Sequence, residues 1–345
     1  MEGEAQPPLW RMALTVAVAV AGGGLANAAK IPLPWVLGAM AAVALLRLSG
    51  AGARQPMPWR RVAQIAIGTS LGLTFTQAVL EQVASLGVWL ALGALFAVAL
   101  TIAFAPVIRR LGGLDAPTSI YAVAVGASAE MTLQAQRAGA NAPLVASAHA
   151  VRIILVVSLA SVVAQWSGEH GTNTLSTATP SLPWTFGILF LALAPAAAWL
   201  ANRIHLPNGW LLGPVIMAAA FAAHGLTAKM YMPVVVGAQV LIGWSLGQHM
   251  TREFFIKSPR MLLASTVVTL AMLAICVALA WGLAHIAGVS LLTAFLSLAP
   301  GGTAEMAIVA NNFGIGAPIV TTFHFFRVIT MIVAMKWIAQ LLLRK

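Results

Sequence analysis

Two clusters of ionisable residues interrupt stretches that are otherwise apolar enough for lipid. One is Ala299-Pro300-Gly301-Gly302-Thr303-Ala304-Glu305-Met306, followed in the next apolar segment by His324 and Arg327. The other is Gly126-Ala127-Ser128-Ala129-Glu130-Met131, followed by His149 and Arg152. Each cluster holds a carboxylate, an imidazole and a guanidinium, the last two spaced three apart and so on one helical face. Such a set can bind an anion, carry a proton or close a buried ion pair. It suits a metal poorly, because no Cys, Asp or second His stands at ligand spacing. An arginine at mid-span costs about 2.5–3.5 kcal/mol on insertion scales, so each needs a partner. The expected partner is the glutamate of its own cluster: Glu130 for Arg152 and Glu305 for Arg327.

The elements that position these groups must be broken helices. Pro300 removes a backbone donor and Gly301-Gly302 tolerate unusual φ, so a helix stops there. Thr303 is expected to cap a new half-helix beginning at Ala304. Glu305 then lies in its first turn, where the helix dipole favours negative charge. Ser128 and Glu130 repeat the arrangement, although Val125 and Ala127 replace Pro300 and Gly302 and soften the first break. A half-helix amino end is an anion site. The candidate binding or coupling residues are therefore Glu130, Glu305, His149, His324, Arg152, Arg327, Ser128, Thr303, Gly301 and Gly302. Asn311 and Thr322 join them because the clusters differ there: Gln136 and Ser147 occupy the equivalent positions. Phe323, Phe325 and Phe326 flank His324 where Ala148, Ala150 and Val151 flank His149, which sets the expected solute site nearer the second cluster. The histidines either titrate, from an ordinary pKa near 6.5, or bond to a backbone carbonyl.

The spacing of the clusters is a duplication. At an offset of 175, Pro32, Trp35 and Gly38 match Pro207, Trp210 and Gly213. Gln64, Gly68, Ser70 and Gly72 match Gln239, Gly243, Ser245 and Gly247, and Glu130, His149 and Arg152 match Glu305, His324 and Arg327. Two copies of one unit follow, residues 1–166 and 184–345, joined by a polar linker, 167–183. Small residues four apart at Gly68/Gly72 and Gly243/Gly247 read as close helix packing. Gln64 and Gln239 are weaker site candidates.

Composition places the units in a membrane. The chain is 60% hydrophobic and 8% charged, against about 25% charged in soluble domains; its mean hydropathy is +0.92. The net charge of +11 lies in short loops between apolar runs, as topology requires, and no basic run with interleaved aromatics suggests nucleic acid. Cys276, the one cysteine, excludes an internal disulfide. The first apolar run, 11–29, reads as a retained span. Each unit shows six apolar segments, near 11–29, 34–49, 62–80, 84–108, 117–137 and 143–165, then 184–204, 209–224, 235–251, 259–283, 291–312 and 318–342. If 117–137 and 291–312 dip in and return, fifteen loop Lys and Arg fall inside and only Lys30 and Lys229 outside. If they cross, the split is eleven to six. The positive-inside rule therefore favours an all-α membrane protein of two inverted repeats, each of five spans plus one re-entrant hairpin, with both termini cytoplasmic.

The Gly-[Ala/Gly]-[Ser/Thr]-Ala-Glu-Met motif, its following His-x2-Arg and the Leu206-Pro207-x-x-Trp-Leu-Leu-Gly-Pro run resemble the bacterial membrane AbrB family over nearly the whole chain. The first unit departs with Gly38-Ala39 where the second has Gly213-Pro214. The resemblance implies a place in the cation:proton antiporter and anion transporter superfamily, and residence in the bacterial inner membrane. Family labels include "regulator of gene expression" and "ammonia monooxygenase". The small DNA-binding AbrB regulators are a different protein type. Oxidation at copper or iron needs clustered ligands, and two His and two Glu split between units supply them poorly. The expectation is a secondary transporter of a small anionic or zwitterionic organic solute, not an enzyme, with no cofactor and no metal. Proton coupling and an elevator-like motion are features of that expectation. Its partners are the solute and the lipid bilayer, with no nucleic acid; homo-oligomerisation is open. The alternatives are a membrane sensor that binds without transport and, third, a monooxygenase.

Overall fold

The computed structural model describes residues 8–168, 180–252, 256 and 258–343. Most of the linker, 169–179, lies outside the described residues, as do Lys257, Arg344 and Lys345, three of the fifteen loop residues expected inside.

Apolar segments bounded by prolines and caps fold as helices. The first half holds α1 (Leu9–Ala28), α2 (Pro34–Leu48), α3 (Met57–Gly72), α4 (Gln77–Ser85), α5 (Gly87–Gly112), α6 (Ala116–Val123), α7 (Ser128–Arg137) and α8 (Ala142–Trp166). The second holds α9 (Trp184–Arg203), α10 (Gly209–Ala223), α11 (Met232–Gly247), α12 (Pro259–Ala287), α13 (Leu291–Leu298), α14 (Thr303–Asn312) and α15 (Ala317–Leu343). Proline sits in the first turn of α2, α3, α6, α8, α11 and α12, where its missing N–H would lack a partner anyway. Asp115 caps α6 by accepting from the Thr118 amide at 2.7 Å. At the same position in the second unit, Ser290 caps α13 through the Thr293 amide at 3.1 Å.

Six helices, α1, α5, α8, α9, α12 and α15, are long and apolar enough to cross a membrane. α2, α10 and α11 are apolar but have only 15 or 16 residues, about 22–24 Å at 1.5 Å per residue. One expectation needs correction. The third segment does not run from 62 to 80: α3 stops at Gly72, and α4 leaves it at 91°. Apolar Ala78, Val79 and Leu80 extended the sequence pattern past a turn at 73–76 that only the geometry reveals.

The helices sort into two groups. α1, α2, α3, α9, α10 and α11 pack together, with α2 and α3 of one half against α11 and α10 of the other. α5 to α8 and α12 to α15 form the second group, which contains both broken pairs. The glycines show why the first group is tight. A Cβ on Gly68 would strike the Leu211 carbonyl and crowd Pro214, and one on Gly243 would strike the Val36 carbonyl and crowd Ala39. These contacts are the same register positions exchanged between halves. Gly72 on Val215 and Gly247 on Met40 repeat the exchange one turn later. Small residues here serve backbone approach, as the spacing suggested.

Candidate functional site

Between α6 and α7 the chain is non-helical at 124–127, and between α13 and α14 at 299–302. A broken helix frees carbonyls that its own turns would have used, and in an apolar interior each needs a donor. The His-x2-Arg pairs of α8 and α15 are those donors. His149 Nε2 donates to the Tyr121 carbonyl at 2.9 Å, and His324 Nε2 to the Leu296 carbonyl at 2.8 Å, positions 175 apart. Arg152 donates to the Val123 carbonyl at 3.1 Å and to His149 Nδ1 at 3.0 Å. Arg327 donates to the carbonyls of Ala299 and Gly301, both at 2.7 Å, and to His324 Nδ1 at 3.1 Å. A guanidinium only donates and a carbonyl only accepts. Each imidazole therefore carries its proton on Nε2 and is neutral. All four side chains are buried.

This arrangement corrects the expected Arg–Glu pairing. The partners of Arg152 and Arg327 are break carbonyls and the neighbouring histidine, with no carboxylate among them. The physical reason is the break itself, whose exposed carbonyls take the place of a counter-ion. Of the two readings for the histidines, the carbonyl-bonded one holds. Helices on the far side complete the support. Cys276 of α12 donates from Sγ to the Leu298 carbonyl at 3.3 Å. Thr101 of α5, its register equivalent, accepts from the Val125 amide at 3.3 Å.

Nor does Thr303 cap the second half-helix. α14 begins at Thr303 itself, with Gly302 in the capping position at φ −77° and ψ 147°. α7 likewise begins at Ser128, with Ala127 before it. No side chain from either capping position closes these ends. Glu305 bends back instead, so that its carboxylate lies beside Gly302. Its Oε2 occupies the space where a Cβ on Gly302 would stand.

The two amino ends converge. One cavity of about 90 Å³ is lined by Gly126 to Glu130 and Arg152 from the first break, and by Gly301 to Glu305 from the second. Across it stand Arg60 and Gln64 of α3 and Asn208 before α10, from the other helix group. Gln64 Nε2 donates to Asn208 Oδ1 at 3.0 Å. Of the candidates, Glu130, Glu305, Ser128, Thr303, Gly301, Gly302 and Arg152 thus meet in one place. His149, His324 and Arg327 lie behind the breaks as supports. Asn311 lines a separate, larger cavity of about 370 Å³ with Ser70, Thr74 and Phe313. Thr322 lines neither and donates to the Pro318 carbonyl of its own helix at 2.8 Å. Arg60 and Asn208 were not foreseen: Arg60 reads as one more cytoplasmic topology residue, and Asn208 as part of a turn. The left-handed φ of 53° at Asn208 gives no sequence signal beyond Asn's tolerance of that region. Among the described residues no three His, Cys, Asp or Glu side chains converge as a metal centre would require.

A family model described as "Transition state regulatory protein AbrB" matches residues 35–343, the helical body containing both breaks. The chain is 25% identical over 344 aligned residues to "Uncharacterized protein YhjN" of Bacillus subtilis (strain 168), covering 92% of this chain and 89% of the relative. It is 24% identical over 336 residues to "Putative regulator AbrB" of Escherichia coli (strain K12), covering 96% of this chain and 95% of that one.

Proposed function

The chain belongs to the AbrB family, and on that premise we propose that it is a secondary membrane transporter of a small anionic or zwitterionic organic solute. The observation that carries this reading is the single cavity on which two half-helix amino ends converge. Paired broken helices from inverted repeats, meeting at a midplane site, are the pattern of secondary transporters. In this reading α6–α7 and α13–α14 are re-entrant hairpins. The six long helices plus α2, α3, α10 and α11 make ten spans, placing the basic loops in the cytoplasm of the inner-membrane-bound cell. The exchanged contacts of Gly68 and Gly243 support a two-fold relation between the halves, and the loop charges support its inversion.

The cavity is walled by both helix groups, Arg60 and Gln64 from one and the breaks from the other. Movement of the broken-helix group against the unbroken one would carry a bound solute with the tips, an elevator-like motion. Glu130 and Glu305 are the proton carriers of this scheme. It is a carrier's mechanism and involves no bond-making, so no catalytic residue is assigned. A second reading, a sensor that binds the same solute without moving it, takes support from the regulator name of the Escherichia coli relative.

The test is uptake into liposomes holding the purified protein, under an imposed pH gradient, against organic acids and amino acids. Uptake that depends on the gradient and is weakened in Glu305→Gln supports the transporter. Saturable binding with no uptake of any bound solute would replace it with the sensor.

A further inference from the structure

The two half-helix ends that face the cavity are not equivalent, and the difference locates the ligand. Each half-helix has 10 residues, and each amino end presents unpaired N–H groups with about half a positive charge. The end of α14 is already filled. Glu305 is 9% exposed, and its carboxylate lies over Gly302, whose missing side chain makes the room. At the first break Ala127 holds that position, and a Cβ at Gly302 would collide with the folded-back Glu305, so by the same geometry the Ala127 methyl disfavours a folded-back Glu130. Glu130 stays half-buried and has no hydrogen bond to another described residue. The end of α7 is therefore open.

The arginines differ in the same direction. Arg327 donates to two break carbonyls and does not reach the cavity. Arg152 donates to one and lines the cavity, while both guanidinium groups are buried with Nε unpartnered. Of five N–H donors on a guanidinium, Arg152 has two engaged. Arg60 stands opposite, half-buried, on α3. Two guanidinium groups and two carboxylates balance formally, and the helix ends tip the cavity positive. The cavity of about 90 Å³ has room for at least three waters at about 30 Å³ each, the scale of a carboxylate head with one or two carbons.

We propose that a small organic carboxylate binds at the amino end of α7, between Arg152 and Arg60, and not at the equivalent end of α14. The proposal deepens the transporter reading and rests on the same cavity, although it concerns binding alone. It also moves the ligand away from the second cluster, where the phenylalanines had pointed. The bound carboxylate does at α7 what Glu305 does at α14. Release of Glu305 is then the step that makes the second end available as the first one lets go.

The experiment is calorimetric titration of the full-length protein in detergent with acetate and glycolate, and with acetamide as the uncharged control. Acetate or glycolate is expected to bind and acetamide not to. Ala127→Asp supplies a capping carboxylate at α7 and should weaken binding about tenfold or more, the displacement of a 1.4 kcal/mol helix-end interaction. Arg60→Gln, on a half-buried α3 site, should weaken it without loss of helicity, whereas Gly237→Ala, with open space around it and away from the cavity, should leave acetate affinity intact. Acetamide binding as well as acetate, absence of binding by both acids, or full acetate affinity in folded Ala127→Asp would each overturn the proposal. Intact acetate binding with no liposome uptake would instead count against transport and leave this site standing.

Discussion

Replacing Arg327 by Leu removes three hydrogen bonds at once and leaves the carbonyls of Ala299 and Gly301 and the Nδ1 of His324 buried without a donor. A buried acceptor stripped of its partner costs about 1–3 kcal/mol in soluble proteins. Hydrogen bonds within membrane proteins average about 0.6 kcal/mol, which sets the lower bound. Three lost bonds therefore predict a loss of about 2–9 kcal/mol. Arg152→Leu removes two bonds and should cost less. Glu305→Gln removes no bond made by either arginine and should cost under about 1 kcal/mol. The assay is equilibrium unfolding of the purified protein and the three variants in one detergent, followed by far-ultraviolet circular dichroism. The reasoning fails if Glu305→Gln destabilises as much as Arg327→Leu, because that equality is the signature of an Arg–Glu ion pair and not of a guanidinium bonded to break carbonyls.

Other substitutions test the packing and the loops. Gly68→Ala and Gly243→Ala each drive a methyl into a facing carbonyl and should cost about 1–3 kcal/mol, while Gly237→Ala, with open space around it, should be neutral or slightly stabilising by the same unfolding assay. Gly302→Ala expels the Glu305 carboxylate from its place over the helix end; the fold should persist while any gradient-driven uptake in liposomes loses its wild-type pH dependence. Cys276→Ala leaves the Leu298 carbonyl without its donor, and Cys276→Ser restores one, so thermal stability should fall for the first and recover for the second. His249, just beyond α11, keeps an exposed edge, yet desolvation of the rest of its ring lowers its pKa from the ordinary 6.5, the Leu246 carbonyl opposing this and Arg60 and Arg54 adding repulsion. The folded state thus holds this proton less tightly than the unfolded chain, so stability falls on acidification below pH 6.5, as the unfolded chain takes up the proton first; His249→Gln should flatten that part of a stability–pH curve.

Much of the site was legible because its chemistry is unusual for its surroundings. Glu305 and Glu130 stood out as carboxylates in apolar sequence, Pro300-Gly301-Gly302 announced a break, and the constant offset of 175 tied the two clusters together. The helix ends at Gly72 and the turn into α4 were not legible, because apolar residues continue across them. The partners of Arg152 and Arg327 were misassigned for a different reason. Opposite charge is visible in a sequence, whereas a freed backbone carbonyl has no letter of its own. Counting the acceptors that a broken helix releases would have found them.

Residue types and their repetition determined by themselves that this chain is a duplicated, apolar, helical protein with interrupted helices bearing buried charge. Those properties follow from local preferences and from the cost of placing ionisable groups in an apolar interior, which each residue carries with it. Only the tertiary structure decided that seven of the twelve candidate residues share one cavity, that Arg60 and Asn208 join them, and that Glu305 covers one helix end while the other stays open. Those outcomes depend on which backbone groups come to face each other across segments far apart in the chain, and on the absence of a single Cβ at Gly302.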